Sequence, residues 1–256
     1  MKRLVWYVAL IAQPFLWDPP FVRSGVYAWS GFKQTATTDG RIDRPILNGS
    51  TTELSYLDVH ATTIPARSTV TFVHDTTELL MIARDGSLRV TLGGVSKVVG
   101  HGSVAVALPG DALEIGNAGE LPATYYLFTY KSKTPTDVAR GRTAGGSVLV
   151  DWNDMKKTAS ANGGQRQPFD RATAMFKRFE MHVSTLNAGA TNHAPHTHGA
   201  EEFVLMLEGN VSMFIEGNSY PSTPGDLIFL AANVPHSLNN LKEGQAEYFA
   251  FQGQAR

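Results

Sequence analysis

The chain has no cysteine among its 256 residues. Disulfides, thiolate metal sites and thiol catalysis are therefore excluded. Charge is scarce as well: Asp, Glu, Lys and Arg together make up 18%, and 22 basic against 23 acidic residues leave a net charge of −1. No broad basic surface follows, so nucleic acid is not an expected partner. Apolar runs long enough to cross a bilayer are missing, which excludes a polytopic membrane protein. With 43% apolar residues, a largely disordered chain is excluded too.

Turn formers are plentiful, with 24 Gly and 13 Pro. Val, Thr, Phe and Tyr are frequent, as in a β-protein with many turns. At roughly 100–150 residues per domain, two similar halves fit the length. The first twelve residues pair Lys2 and Arg3 with an apolar run from Leu4 to Ala12. That pattern reads as an export signal at 1–12, cleaved near Ala12, with fold reasoning beginning near Pro14.

An internal comparison organises the rest. Phe72, His74 and Glu78 precede His196, His198 and Glu202 by 124 residues. Gly86, Gly102 and Leu113 precede Gly209, Gly225 and His236 by 123. A single deletion accounts for the series, so the chain is read as a tandem duplication. Short strands are expected at 54–59, 69–73, 78–83, 87–92, 103–108 and 124–130, then at 176–186, 202–207, 211–215, 226–230 and 246–251. Turn signals such as Asp85-Gly86, Pro109-Gly110, Gly217-Asn218 and Pro224-Gly225 fall between them. The expected fold is all-β, two tandem barrels with about 45% strand or less and little helix. The expected layout is an N-terminal domain at 23–133, a polar connection at 134–170 with a short helix over 150–157, and a C-terminal domain at 171–256. Gly102 and Gly225 should occupy equivalent turns.

The second copy concentrates metal-binding chemistry. His196, His198 and Glu202 share parity, so a strand running through Gly199 and Ala200 would aim all three at one side. His236, just after Pro235, can close the set. Three imidazoles and one carboxylate suit Mn, Fe, Ni, Zn or Co better than Ca or Mg. His193 breaks the parity and reads as a loop residue. The first copy has Phe72 and Leu113 in place of two ligands, which leaves His74 and Glu78 as a polar pair without a metal. Upstream, Phe179, Met181 and Val183 form one face of a strand, while Arg178, Glu180, His182 and Ser184 form the other; alternation does not say which face lines the site. Met206, Phe249 and Phe251 are candidates to pack below the metal.

The run His196-x-His198-x3-Glu202-x6-Gly209, followed by Pro224-x10-Pro235-His236-x3-Asn240, resembles the two motifs of the cupins. The resemblance implies a double-stranded β-helix in each copy. The second barrel would hold one divalent metal through His196, His198, Glu202 and His236, and the first would be degenerate. Manganese is the first expectation, with iron, nickel or zinc as alternatives. The two-barrel layout resembles the ureidoglycine aminohydrolase-like, or glyoxylate-pathway, bicupins. In those, Glu-x-His-x3-His and a later Gln stand at the metal, where this chain has its His/His/Glu/His set. The implied function is a metal-dependent enzyme for a small polar metabolite, carboxylate- or ureide-like, in the manner of an aminohydrolase. Arg178 would hold a second carboxylate, and Glu180 or His182 would move a proton. Alternatives are a non-catalytic metal- and ligand-binding bicupin, a cupin dioxygenase or isomerase, and a storage-like dimer. The expected partners are a small-molecule substrate and further copies of the chain. No membrane is expected for the mature form, and the location is the exported or periplasmic space if the signal is cleaved, otherwise the cytoplasm.

Overall fold

The computed structural model describes residues 20–241 and 244–255. The expected export segment at 1–12 lies outside them. The described residues are nearly all β, with 55% strand and 5% helix. Every strand read from the sequence is present. The additions include Ile42–Gly49 and Gly163–Arg171, second from the edge of the large sheets, and Val95–Val99 and Asn218–Ser222, at the edges of the small ones. Register shifts between Pro45 and Leu47 and between Arg166 and Phe169 interrupt the alternation of the first pair, and the second pair faces water on more than one side. Among the described residues, no helix is long and apolar enough to cross a membrane.

Each copy builds one seven-stranded and one smaller sheet. In the first, Glu78–Asp85, Ala123–Ser132 and Leu54–Ile64 are the central strands of the large sheet. Thr69–Phe72, Leu113–Asn117, Leu88–Leu92 and Val95–Val99 form the small one. In the second, Glu201–Glu208, Ala246–Gln254 and Arg178–Leu186 are central, opposite a small sheet of Val211–Ile215, Asn218–Ser222 and His236–Asn239. The first barrel is filled by Leu79, Met81, Leu113, Ile115 and Tyr125, among others. The second is filled by Val204, Met206, Met213, Ile228 and Leu238, among others. A third core joins the outer faces of the two large sheets. Leu80, Ile82 and Phe128 meet Phe179, Phe203, Phe249 and Phe251 there.

The connection expected at 134–170 is threaded into both barrels. Val148–Val150 pairs with Val104–Ala107 of the first. Thr158–Ser160 and Gly163–Arg171 extend the large sheet of the second. The one α-helix among the described residues is Val138–Thr143, where Asp137 caps the N–H of Arg140. Over 150–157 there is only the 3-10 turn Trp152–Asp154. The repeat also begins earlier than expected. Gly25–Tyr27 pairs with Leu227–Leu230 of the second barrel. Gly25 and Val148 are 123 residues apart, as are Trp29 and Trp152. Each copy thus lends its first strand to the other barrel and covers an otherwise bare sheet edge.

Gly102 and Gly225 do occupy equivalent turns. Gly102 N–H donates to Ala83 O at 2.9 Å, and Gly225 N–H donates to Met206 O at 2.9 Å. Both have positive φ, +77° and +97°. A Cβ at Gly102 would lie 2.2 Å from the Trp152 ring. Gly102→Ala is therefore expected to cost about 2–4 kcal/mol, from overpacking plus left-handed backbone strain. Urea denaturation checks this, and an unchanged midpoint would contradict it.

The same comparison corrects the pairing of Glu78 with Glu202. Glu78 is the counterpart of Glu201, and Leu79 is the counterpart of Glu202. Glu78 is fully buried between the barrels, where it accepts from Tyr130 Oη (2.7 Å), Ala174 N (3.0 Å) and Met175 N (3.3 Å). Burial raises its pKa. Glu201 reaches the other way, to the Thr51 hydroxyl, Thr52 N (2.6 Å) and Glu53 N (3.3 Å). His74 bonds Thr77 Oγ1 at 2.9 Å instead of pairing with Glu78. The positions equivalent to the four expected ligands in the first barrel are thus Phe72, His74, Leu79 and Leu113.

Candidate metal centre

The strand expected to carry His196, His198 and Glu202 together is interrupted. Residues 197–200 are irregular, and the strand begins at Glu201. Convergence has another origin. His196 and His236 face each other in an isolated antiparallel bridge, each N–H donating to the other's carbonyl at 3.0–3.1 Å. His198 is held from its backbone, where its carbonyl accepts Asn233 N–H at 2.8 Å. Glu202 comes from the first turn of its strand, on the interior face with Val204 and Met206.

The four side chains meet. Ligand nitrogens of His196, His198 and His236 lie within 4.8 Å of one another, and the cluster could hold a metal ion. Glu202 Oε2 is 2.9 Å from His198 Nε2 and 3.2 Å from His236 Nε2. The ring orientations fit a metal-binding role. Nδ1–H of His198 donates to Ala200 O and Nδ1–H of His236 donates to Val234 O, each at 2.8 Å. Both rings are thereby oriented with Nε2 towards the cluster, as backbone partners orient metal-binding imidazoles. His236 Nε2 is buried without hydrogen-bond geometry to any partner. An orphaned buried nitrogen beside two imidazoles and a carboxylate is a donor set that fits a transition metal.

Electrostatics agree. Burial would raise the Glu202 pKa, but the hydrogen bond with His198 and the close His236 imidazole outweigh it and hold the carboxyl at about 2. His198 is raised by the Glu202 contact. His196 is lowered by desolvation and by the neighbouring imidazoles of His193, His236 and His198. Glu202 is thus an anion and His196 a neutral base, both ready to coordinate.

The cluster opens into a cavity of about 550 Å³. The polar face of Arg178–Leu186 points inward along part of its length. His182 and Ser184 line the cavity, while Phe179, Met181 and Val183 pack against the other barrel. Glu180 is buried and accepts from His182 Nδ1 at 2.8 Å, so it orients that ring. Arg178 is not part of the cavity. Its guanidinium makes a two-point pair with Asp170 (2.8 and 2.7 Å) and is half-exposed. The strand leaves the barrel mouth before reaching Arg178, so the expected carboxylate clamp is spent on a neighbouring strand.

Met206 lies in the barrel interior, on the face of Glu202. Phe249 and Phe251 do not; they belong to the inter-barrel core. Their alternating neighbours Tyr248, Ala250 and Gln252 line the cavity instead. Tyr-Phe-Ala-Phe-Gln carries that signal, because a strand with Tyr and Gln on one parity and Phe on the other has its polar parity at the site. Burial pushes the Tyr248 hydroxyl up to about 12, so it stays protonated. His193 lies in its loop at the cavity rim, its ring centroid 3.8 Å from that of His196.

Residues 182–251 match the family model described as cupin domain. A comparison with curated protein sequences finds no match. Solved structures give the fold. A Pseudomonas aeruginosa protein described as glyoxylate induced is 14% identical, with a TM-score of 0.74 over 98% of this chain and 94% of its own. The protein Ylba from E. coli is 14% identical, with a TM-score of 0.71 over 90% of each chain. Oxalate decarboxylase from Bacillus subtilis, a protein with Mn(II) centres, is 14% identical, with a TM-score of 0.67 over 93% of this chain and 79% of its own. The chain therefore has the all-β fold of the two-barrel cupins, and its second barrel carries the match to the cupin domain.

Proposed function

We propose that the protein is a metal-dependent enzyme for a small polar metabolite, with an aminohydrolase-like hydrolysis as the first reaction to test. The observation that carries this reading is the junction of two devices in one cavity. The cluster of His196, His198, Glu202 and His236 sits beside a histidine, His182, that is oriented by a buried carboxylate. A protein that only stores or scaffolds has no need of the second device.

The four residues would hold one divalent transition metal, with manganese favoured by the Mn(II) centres of the oxalate decarboxylase that shares the fold. When bound, such an ion supplies a Lewis acid for a carboxylate or carbonyl oxygen. The chain's own residues do the rest. Glu180 fixes His182 with its proton on Nδ1, which leaves Nε2 as the basic nitrogen. His182 can take a proton there from water or substrate and return it to a leaving amine. Val204, Leu238 and Met213 give the cavity apolar walls that limit water. Export and self-association belong to the same reading. N-terminal sequencing and light scattering of native protein test them.

His182→Ala is expected to leave metal content unchanged and to lower turnover roughly 100- to 10,000-fold, the range for loss of a general acid–base group. The check is ammonia release from a panel of ureides and α-amino amides, with metal measured on the same samples. Turnover of the panel unaffected by His182→Ala would remove His182 from the chemistry. A fully loaded protein inert on every compound would leave the binding reading in place of the enzymatic one.

A further inference from the structure

The cavity's charge count says which part of the polar-metabolite class fits. Among the described residues lining it there is no lysine and no arginine. The cation expected from sequence, Arg178, is bound to Asp170 outside it. One carboxylate, Glu202, lines it. A second, Glu180, is buried behind His182, two strands from Glu202. Gln252 lies between them in the sheet, directly opposite Glu202 on one side and Glu180 on the other. A 2+ ion with these two carboxylates makes a site of net charge near zero.

Such a site accepts one anionic group at the metal. A second carboxylate on the same ligand would be desolvated beside Glu202 and near the Glu180–His182 pair, with no lysine or arginine to meet it. Neutral hydrogen-bonding groups fare differently. The carboxamides of Gln252 and Gln165 line the cavity and make no hydrogen bond to a described residue. A carboxamide both donates and accepts, so it pairs with another amide, a ureido group or a hydroxyl. It offers a carboxylate only its N–H side and no charge.

We infer that the site selects monoanionic ligands whose distal end is a neutral amide, ureido or hydroxyl group, and rejects dianions, with Gln252 as the main specificity-determining residue. This rests on the metal-site reading above. It also separates this cavity from any site built for a dicarboxylate.

The test uses the full chain loaded with Mn(II) and a matched pair of probes. L-Malate and its β-monoamide share one α-hydroxy carboxylate for the metal and differ only at the distal group, charged in one and neutral in the other. Isothermal titration should show the monoamide binding at least tenfold more tightly than malate. Gln252→Arg, which places a cation beside the distal group, should shift the ratio at least tenfold towards malate. Gln165→Arg, at a more exposed position, should shift it in the same direction and serves if Gln252→Arg does not fold. Malate bound as tightly as the monoamide by the loaded wild type would overturn the inference, as would binding of neither probe. Failure to bind Mn(II) at all would instead remove the metal-site reading and this inference with it. Mn(II) uptake is measured before either probe is added, so the two failures are distinguishable.

Discussion

A His236→Ala protein should lose its metal, with affinity lowered at least ~100-fold relative to wild type. No other imidazole of the cluster is as firmly fixed. It is 4% exposed, its Nδ1–H is committed to Val234 O, and its Nε2 has no other hydrogen-bond partner. Alanine there removes a ligand and leaves Glu202 with His198 as its remaining imidazole partner. Elemental analysis after gel filtration measures the effect, with one ion per chain expected in wild type. His74→Ala is the matched control. Its ring is tied to Thr77 in a barrel whose other three equivalent positions are Phe72, Leu79 and Leu113, so metal content should not change. Full occupancy in a His198→Ala/His236→Ala double variant would dismiss the centre. Metal lost from His74→Ala would mean that the first barrel is not silent.

The second large effect is on stability and lies far from the metal. Glu78→Ala strands three buried donors, Tyr130 Oη, Ala174 N and Met175 N. Unsatisfied donors cost about 1–3 kcal/mol each, and with partial relaxation a total loss of about 3–5 kcal/mol is expected. Glu78→Gln keeps an acceptor and should recover most of it. The pH dependence has a definite sign. Because burial raises the Glu78 pKa above its value in the unfolded chain, its stabilising contribution is full below the ordinary carboxylate range and declines as pH rises through the folded value. The stability of wild type relative to Glu78→Gln should therefore fall in urea denaturation as pH rises above the ordinary carboxylate range. A gap that widens in favour of wild type would show that the carboxylate is held as an anion.

The parts of this structure that could be read beforehand are those with a regular spacing. The tandem repeat, the central strands, the Gly102/Gly225 turns and the residues that meet in the cluster all follow from offsets and parity. What could not be read depends on three-dimensional closure. The strand expected to carry His196, His198 and Glu202 breaks at 197–200, so the residues named by shared parity meet for a reason other than parity. His196 is aimed by its bridge to His236, a pairing between segments forty residues apart. Glu78 looked like the partner of Glu202 because a deletion in the repeat can be placed on either side of it. Only the sheet register, with Leu79 facing inward and Glu78 outward, distinguishes the two. Arg178 had the parity of His182, but parity does not reveal where a strand leaves the barrel mouth. Edge strands such as Gly25–Tyr27 and Val148–Val150 are three residues long, too short for any period to show.

Those two short strands make the molecule a closed exchange between its own halves. Two separate single-barrel chains trading arms in this way would be held together only by mass action, and dilution would strip each of its edge strand and of the cover over its aromatic face. Fused in one chain, the donor is always present at high effective concentration, so the half with the histidine cluster stays complete however dilute the protein. The same fusion changes what each barrel must do. One barrel can give up its ligands to Phe72, Leu79 and Leu113 so long as it still supplies Gly25–Tyr27, the Thr51–Glu53 seat for Glu201 and the apolar face over Phe203 and Phe251. Its fidelity is then to an interface, and mutations in it should be read for their effect on the neighbouring barrel's shape.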